Sequence, residues 1–367
     1  MKKWGWFVLK KNAKRIPNFN LIRTFVAITI AIVTAVIIIM LVSKEPATAI
    51  YNFLICPMTT VRYFGNVVEL MTPLLFTGLA VSLMFQTKIY NLSTEGMFYT
   101  GGFVAAIFAT LIPMTSGFHS IAGIVAGMLA ASVIAFIPAF MKLKFGASEV
   151  VSSLMLNYIV FYIGDFILKT FMKDPKVTHV TSFKFLKTAL LPRIIGKVHI
   201  GFIIAIILLF AVYLFLYHTK WGYAIRMTGE NSNFSKYTGI NTTKAILMSQ
   251  VMGGAIAGLG GAAHILGSQQ RFNWEWRPGY GWDGIIIAII AQYNPKYIPM
   301  GAFILAYLRI GSDIMSRTTD VPNEVVALIQ GIMIVLIAAS GFLESYRKKL
   351  VVKHATENLI TEGGNKK

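Results

Sequence analysis

Residues 120–141 read SIAGIVAGMLAASVIAFIPAFM and carry no charged side chain. An α-helix needs about 20 apolar residues to cross the hydrocarbon layer of a bilayer, so this stretch predicts a membrane span. Inside it, the spacing Gly123-xxx-Gly127 lets a second backbone approach closely. The rest of the chain carries the same signature. Of its 367 residues, 56% are hydrophobic and 13% charged, and the mean hydropathy is +0.65. A soluble domain carries about a quarter charged residues, so the fold class is an all-α polytopic membrane protein.

Working outward from 120–141, further spans are predicted near 21–42, 66–86, 93–113, 148–168, 199–217, 244–267, 297–315 and 323–343. A shorter apolar piece, 282–293, brings the total to about ten transmembrane segments, one of them short or re-entrant. An isolated short span would leave backbone groups unsatisfied in lipid, so 282–293 is expected to be sheltered by other helices. Gly279, Gly281 and Gly284 crowd its start, and Asn294-Pro295 punctuates its end. Gly254-xxx-Gly258, extended by Gly260 and Gly261, predicts a second close helix contact.

Ten crossings put both termini on one side, and Lys/Arg-rich flanks mark the cytoplasm. Lys2, Lys3, Lys10, Lys11, Lys14 and Arg15 precede the first span, and Arg347, Lys348, Lys349, Lys353, Lys366 and Lys367 follow the last. The chain therefore reads as N-in/C-in. Its domains are an interfacial cytoplasmic segment 1–20, a transmembrane domain 21–343 and a basic cytoplasmic tail 344–367. The apolar stretch 24–42 exceeds the roughly 7–15 residues of a signal-peptide core, so it reads as an uncleaved first helix. Segment 169–198 falls outside the cell although it carries seven Lys/Arg. Long loops translocate regardless of charge, and this basic surface would suit an acidic extracellular partner.

Several chemistries are excluded. A net charge of +19 would suggest nucleic acid on a soluble protein. Here the positive residues lie in loops and tails beside apolar spans, the pattern of a chain touching anionic lipid. The lone Cys56 allows no intrachain disulfide, and the scattered histidines (119, 179, 199, 218, 264, 354) indicate no metal site. No GxxxxGK[ST] loop, nucleophile elbow or zinc-peptidase signature is present, so neither enzyme activity nor a bound cofactor is expected of this chain.

Ionisable residues at membrane depth are functional candidates by default: Glu69, Glu95, Glu149, Asp165, Asp283, Arg309, Asp313 and Glu324. Four of them also have a structural reading. Glu149 follows Ser148, Glu324 follows Asn323, and Glu95 follows Asn91 and Ser93; each opens a predicted helix, where a carboxylate complements the dipole and the polar residue can cap. Asp283 opens the short segment in the same way. Asn157 and Gln250 either hydrogen-bond between helices or touch a polar solute, and His264 reads as an interhelical hydrogen-bonder. Asn91, Glu95, Asn157, Gln250 and Asp283 are thus the candidates for a solute pathway.

The loop 218–243 is too polar to span. It contains Trp221-Gly222-Tyr223-Ala224-Ile225-Arg226-Met227-Thr228-Gly229-Glu230-Asn231 and continues to Lys236-Tyr237-Thr238-Gly239-Ile240-Asn241. Two glycine turns, 229 and 239, are expected to flank a short helix over 232–238, a knob suited to docking a cytoplasmic partner.

This loop resembles the coupling segment of bacterial ABC importer permeases of the branched-chain amino acid, simple-sugar and nucleoside group. Gly222, Arg226, Gly229, Asn231, Tyr237, Gly239 and Ile240 match its pattern, with Glu230 between them. Asn91-Leu92-Ser93-Thr94-Glu95-Gly96 is similar to the family's N-I-G-x-E-G turn, with Ser93 replacing glycine. Glu149-Val150, followed by Met155-Leu156-Asn157-Tyr158, is similar to its E-V-x-x-x-x-M-L-N-Y helix. Ala257-Gly258-Leu259-Gly260-Gly261 resembles A-G-L-A-G, and Gly279-Tyr280-Gly281-Trp282-Asp283-Gly284-Ile285 resembles G-x-G-F-x-G-I. The asparagine-bearing helix and the long outer loop are most similar to the nucleoside-uptake branch.

The resemblance implies a non-catalytic subunit in the cell membrane. It would pair with a related companion permease, or with itself. Separate ATPase subunits carrying ATP and Mg would dock on the coupling loop, and an extracellular lipoprotein would deliver a nucleoside, a simple sugar or a branched-chain amino acid. An ion-coupled secondary transporter is the reading of another class. An echo between Glu95-Gly96 and Asp283-Gly284 suggests a pseudo-repeat of two halves.

Overall fold

The computed structural model describes residues 19–322, 324–332 and 335. All but the end of the expected segment 1–20, most of the span expected over 323–343 and the tail 344–367 lie outside the described residues. The chain forms helices α1 (Phe19–Val42), α2 (Pro46–Leu54), α3 (Val61–Phe85), α4 (Thr94–Leu111), α5 (Phe118–Phe145) and α6 (Glu149–Ile167). After a hairpin of β1 (Arg193–Ile195) and β2 (Val198–His199) come α7 (Gly201–His218), α8 (Lys220–Glu230), α9 (Ser232–Tyr237), α10 (Thr242–Ser268), α11 (Tyr280–Ile290) and α12 (Ile298–Thr318).

Capping chemistry, more than hydropathy, sets the helix ends. The Thr60 hydroxyl accepts the Tyr63 N–H at 3.2 Å, so α3 begins five residues ahead of its apolar run. Asn241 does the same for α10 through the Lys244 N–H at 2.9 Å, and Ser148 receives the Val151 N–H at the start of α6. Gly146, with φ +68°, closes α5 in the left-handed conformation. The expected stop at Asn294-Pro295 comes earlier: Gln292 and Tyr293 already hold positive φ, and the Tyr293 carbonyl accepts Ser82 and Gln86 at 2.6 Å each.

Among the described residues six helical stretches are long and apolar enough to cross a membrane, and they sort into two layers. The apolar windows of α3 and α10 are 83% and 67% buried inside the protein, while those of α5, α6 and α7 are only 28%, 28% and 22% buried. The outer helices therefore offer apolar stripes to lipid; on α5 the stripe is Ile121, Val125, Leu129, Val133, Phe136 and Phe140. Helix α4, opening on the polar Thr94-Glu95-Gly96, survives because its neighbours enclose it. The expected shelter for 282–293 is likewise present, with Gly281, Asp283, Gly284, Ile287 and Ala288 buried.

Helices α4, α5 and α10 meet where both glycine spacings converge. A Cβ on Gly127 would stand 2.5 Å from the Gly101 carbonyl oxygen, and one on Gly258 would stand 2.7 Å from that of Gly127. Such distances leave no room for any side chain.

Chain contacts divide the protein into two units. Everything above except α1 and α2 belongs chiefly to Phe53–Ile314. In the other unit, Asp320 accepts the Ser43 hydroxyl at 2.7 Å and the Lys44 N–H at 2.8 Å.

The basic segment 169–198 is a folded cap. Leu186 donates its N–H to Ala109 at the end of α4, Leu191 to Leu266 at the end of α10, and Phe185 to Gln270, each at 2.9 Å. Asp174 pairs with Arg271 at 2.7 Å, and that guanidinium holds its carboxyl below the usual range. These bonds place the outer ends of α4 and α10 in one layer.

Candidate functional site

Residues 269–279 contain neither helix nor strand, and they end at Gly279, whose φ is +82°. There the N–H groups of Gly279 and Gly281 donate to the two oxygens of Glu95 at 2.6 and 2.7 Å. Along α4, Ala109 beneath the cap is fourteen residues beyond Glu95, about 21 Å at helical rise. The segment therefore descends deep into the bundle before α11 begins. Non-helical backbone is tolerated at membrane depth only when buried in protein or lining a water-filled cavity. The stretch 269–290 is thus half non-helical and half helix.

Glu95 stands in the first turn of α4, as its place in the sequence suggests, but the expected cap from Ser93 is absent. The Glu95 carboxylate also caps the neighbouring helix α11. The turn before α4 is built from other candidates. Asn157 accepts the Gly96 N–H at 2.8 Å and donates to the Leu92 carbonyl at 2.9 Å. Asn91 accepts the Ser93 N–H at 3.0 Å and hydroxyl at 2.6 Å, and donates to the Ala135 carbonyl at 3.2 Å. Asp283 is gripped by both terminal nitrogens of Arg309, one at 2.8 Å.

The structure thus brings Asn91, Glu95 and Asn157 into one junction that seats α11, with Asp283 one turn on. Gln250 stands apart on α10. It donates to the Met84 carbonyl at 3.2 Å, and its buried Oε1 has no partner. His264 is not the interhelical hydrogen-bonder expected. Its nearest polar partner is Ser268 on the same helix, and its ring packs among Phe98, Trp274 and Tyr280.

Two residues escaped the sequence reading, Trp276 and Arg277. The Arg277 guanidinium lies 4.3 Å from the centre of the Tyr158 ring. Tyr158 is nine residues from each end of α6, so this cation stands at mid-helix depth. Trp276 beside it is 83% exposed. The run Trp274-Glu275-Trp276-Arg277, too polar and aromatic for a simple connection between two apolar segments, was the available signal.

The polar loop forms a helical hairpin. The turn expected at Gly229 is absent: Gly229 is inside α8, its backbone pressed against the Gln86 carbonyl that follows α3. Gly239, with φ +81°, does turn the chain, and α9 ends at Tyr237 as anticipated within a residue. Gly222 is pressed against the Phe215 and Leu216 backbone. Arg226 donates to the Leu216 carbonyl at 3.0 Å and covers the Tyr217 ring at 4.8 Å, which holds the hairpin to the end of α7. Asn231 caps α9 through the Phe234 N–H at 2.9 Å, and the Ile240 N–H returns to the Ser235 carbonyl at 2.9 Å. Glu230, Phe234 and Tyr237 remain exposed at its tip.

Residues 63–338 match the family model described as the branched-chain amino acid transport system / permease component. The chain belongs to this permease family. It is accordingly a multi-pass permease subunit of the plasma membrane, as its ordered motifs implied, and not itself an enzyme. The permease is 28% identical over 300 residues to the guanosine ABC transporter permease protein NupP of Bacillus subtilis, covering 80% of this chain and 86% of that one. It is 26% identical over 350 residues to the nucleoside ABC transporter permease protein NupB of Lactococcus lactis, covering 92% and 96%. A glucose ABC transporter permease protein, TsgB13 of Haloferax volcanii, is 28% identical over 291 residues, covering 75% and 76%. No solved structure matches the chain.

Proposed function

We propose that this permease imports nucleosides by alternating access, driven by separate ATPase subunits that bind the ATP and Mg. The observation that carries the transport route is the half-helical stretch 269–290, with a half-exposed cation at mid-helix depth. An arginine there is costly against lipid and acceptable beside water or a polar solute. The nucleoside assignment is supported by the relatives named for guanosine and nucleosides. The glucose permease relative keeps a simple sugar as the second reading.

In this reading the chain makes ten crossings with both termini inside. The openings at Glu95-Gly96 and Asp283-Gly284 mark two related halves. A companion permease completes the route, the cap 169–198 faces an acidic solute-delivering lipoprotein, and the α8–α9 hairpin receives the ATPase through Gly222, Arg226, Gly229, Glu230, Asn231, Tyr237, Gly239 and Ile240. Asn91, Glu95, Asn157 and Asp283 set the position of α11 beside the route, and Gln250 adds an acceptor on α10. An ion-coupled carrier is less well supported, because Glu95 and Asp283 are both engaged by fixed partners.

The test is uptake into proteoliposomes holding the permease with its companion, ATPase and receptor. ATP-dependent accumulation of labelled guanosine is expected. Accumulation of glucose alone would move the assignment to sugars, and flux that follows an ion gradient without ATP would overturn the importer.

A further inference from the structure

Arginine at membrane depth ordinarily finds a counter-charge, a carbonyl or water. Among the described residues no carboxylate lies within ion-pair distance of Arg277; its guanidinium rests on the face of Tyr158. Stacking of that kind holds a guanidinium flat and leaves its in-plane N–H donors free to form further bonds. The neighbouring Trp276 is the second anomaly. Trp274, two residues earlier, is 9% exposed and packs on Phe98, Phe272 and His264. Trp276 is 83% exposed, so its ring packs little against the chain itself. An exposed π-face and a planar donor fork are thus carried by consecutive residues of a backbone segment that descends through the bundle.

That pair suits a nucleobase. A flat heteroaromatic ring stacks on an indole, and an arginine fork binds two vicinal acceptors, as it does the O6 and N7 of guanine. A sugar also offers vicinal acceptors to the fork but no aromatic ring to the indole, so the stack is what separates the two. We propose that Trp276 and Arg277 are the specificity element of the route. Trp276 stacks the nucleobase of the passing solute, and Arg277, held by Tyr158, pairs with its acceptor edge. The inference rests on the nucleoside reading above. The rival occupant, a helix of the companion permease covering Trp276, is an outcome of the test.

The experiment uses the assembled complex in proteoliposomes, with Cys56→Ser as background. Trp276→Cys should react with a water-soluble maleimide and be protected by guanosine but not by ribose. Trp276→Ala should lower guanosine uptake at subsaturating concentration by about five- to a hundredfold, the range of one lost base stack. Trp276→Phe keeps a π-face, so its recovery of uptake separates stacking from misfolding. Arg277→Lys should retain uptake while losing the preference for guanosine over cytidine. A cysteine at 276 that stays unreactive in the assembled complex would assign the face to the companion and overturn the proposal. Unchanged rate and preference in Trp276→Ala would overturn it as well. Absence of any nucleoside uptake by the unaltered complex would remove the functional reading first, and this inference with it.

Discussion

Glu95 shows how one side chain can connect distant parts of the chain. Its two oxygens take the N–H groups of Gly279 and Gly281, some 185 positions away, at the point where non-helical chain becomes helix. Those N–H groups are orphans of a helix start, and a carboxylate satisfies them with the favourable sign for the dipole. Glu95→Gln keeps the volume but turns an amide NH₂ toward a backbone donor. Hydrogen bonds to a charged group contribute about 1.5–3 kcal/mol each, so α11 should lose its seat at a cost of that order. The expected result is a lowered melting temperature and a guanosine uptake rate reduced by about tenfold or more. Uptake and melting equal to the unaltered protein would remove Glu95 from this role.

At the scale of elements, the hairpin α8–α9 and the outer cap each make a prediction. Gly229 lets α8 touch the carbonyl that ends α3, so a push on the hairpin reaches α3 directly. Gly229→Val would force the two apart, and overpacking of this kind costs about 1–3 kcal/mol. ATPase subunits should still bind the exposed Phe234 and Tyr237, yet hydrolysis should no longer produce uptake; the ratio of solute imported to ATP hydrolysed measures this. If the hairpin receives the ATPase as proposed, cross-links should form from Ser232 or Tyr237 and not from Ser235, which is buried.

Just beyond the cap, His199 is enclosed by Gly201 and Gly267, its Nδ1 accepting the Gly201 N–H at 3.1 Å. Burial, with Arg193 nearby, pushes this imidazole down to about 4. The folded state thus binds the proton less readily than an opened one, whose imidazole titrates near 6.5. Stability from this site is complete above about pH 6.5 and declines as the pH falls toward about 4. Acidifying the outer compartment across that window should raise protease cleavage of residues 193–199, and His199→Asn should flatten the response.

For the whole molecule, the proposed topology with both termini inside predicts sidedness. In a Cys56→Ser background, Lys197→Cys should label from outside the cell and Tyr237→Cys only from the cytoplasmic side. Labelling of both from one side would break the topology. Much of this was legible in the chain alone. Uncharged apolar runs such as 120–141 specify helices in lipid because water-free surroundings leave the backbone no other partner. The spacings Gly123-xxx-Gly127 and Gly254-xxx-Gly258 also marked the contact that α4, α5 and α10 make. The candidate site was half legible, since Asn91, Glu95 and Asn157 stood out as polar residues amid apolar ones, but their partners lie far along the chain. Trp276 and Arg277 drew no expectation from the sequence, and Gly229 had the look of a turn. Local composition and periodicity thus determined that the chain crosses membranes, and marked the six long apolar helices found among the described residues. Which carboxylate caps which helix, that 269–279 descends into the bundle, and which cation stands there without a carboxylate were decided only by tertiary packing, because each depends on contacts between residues distant in sequence.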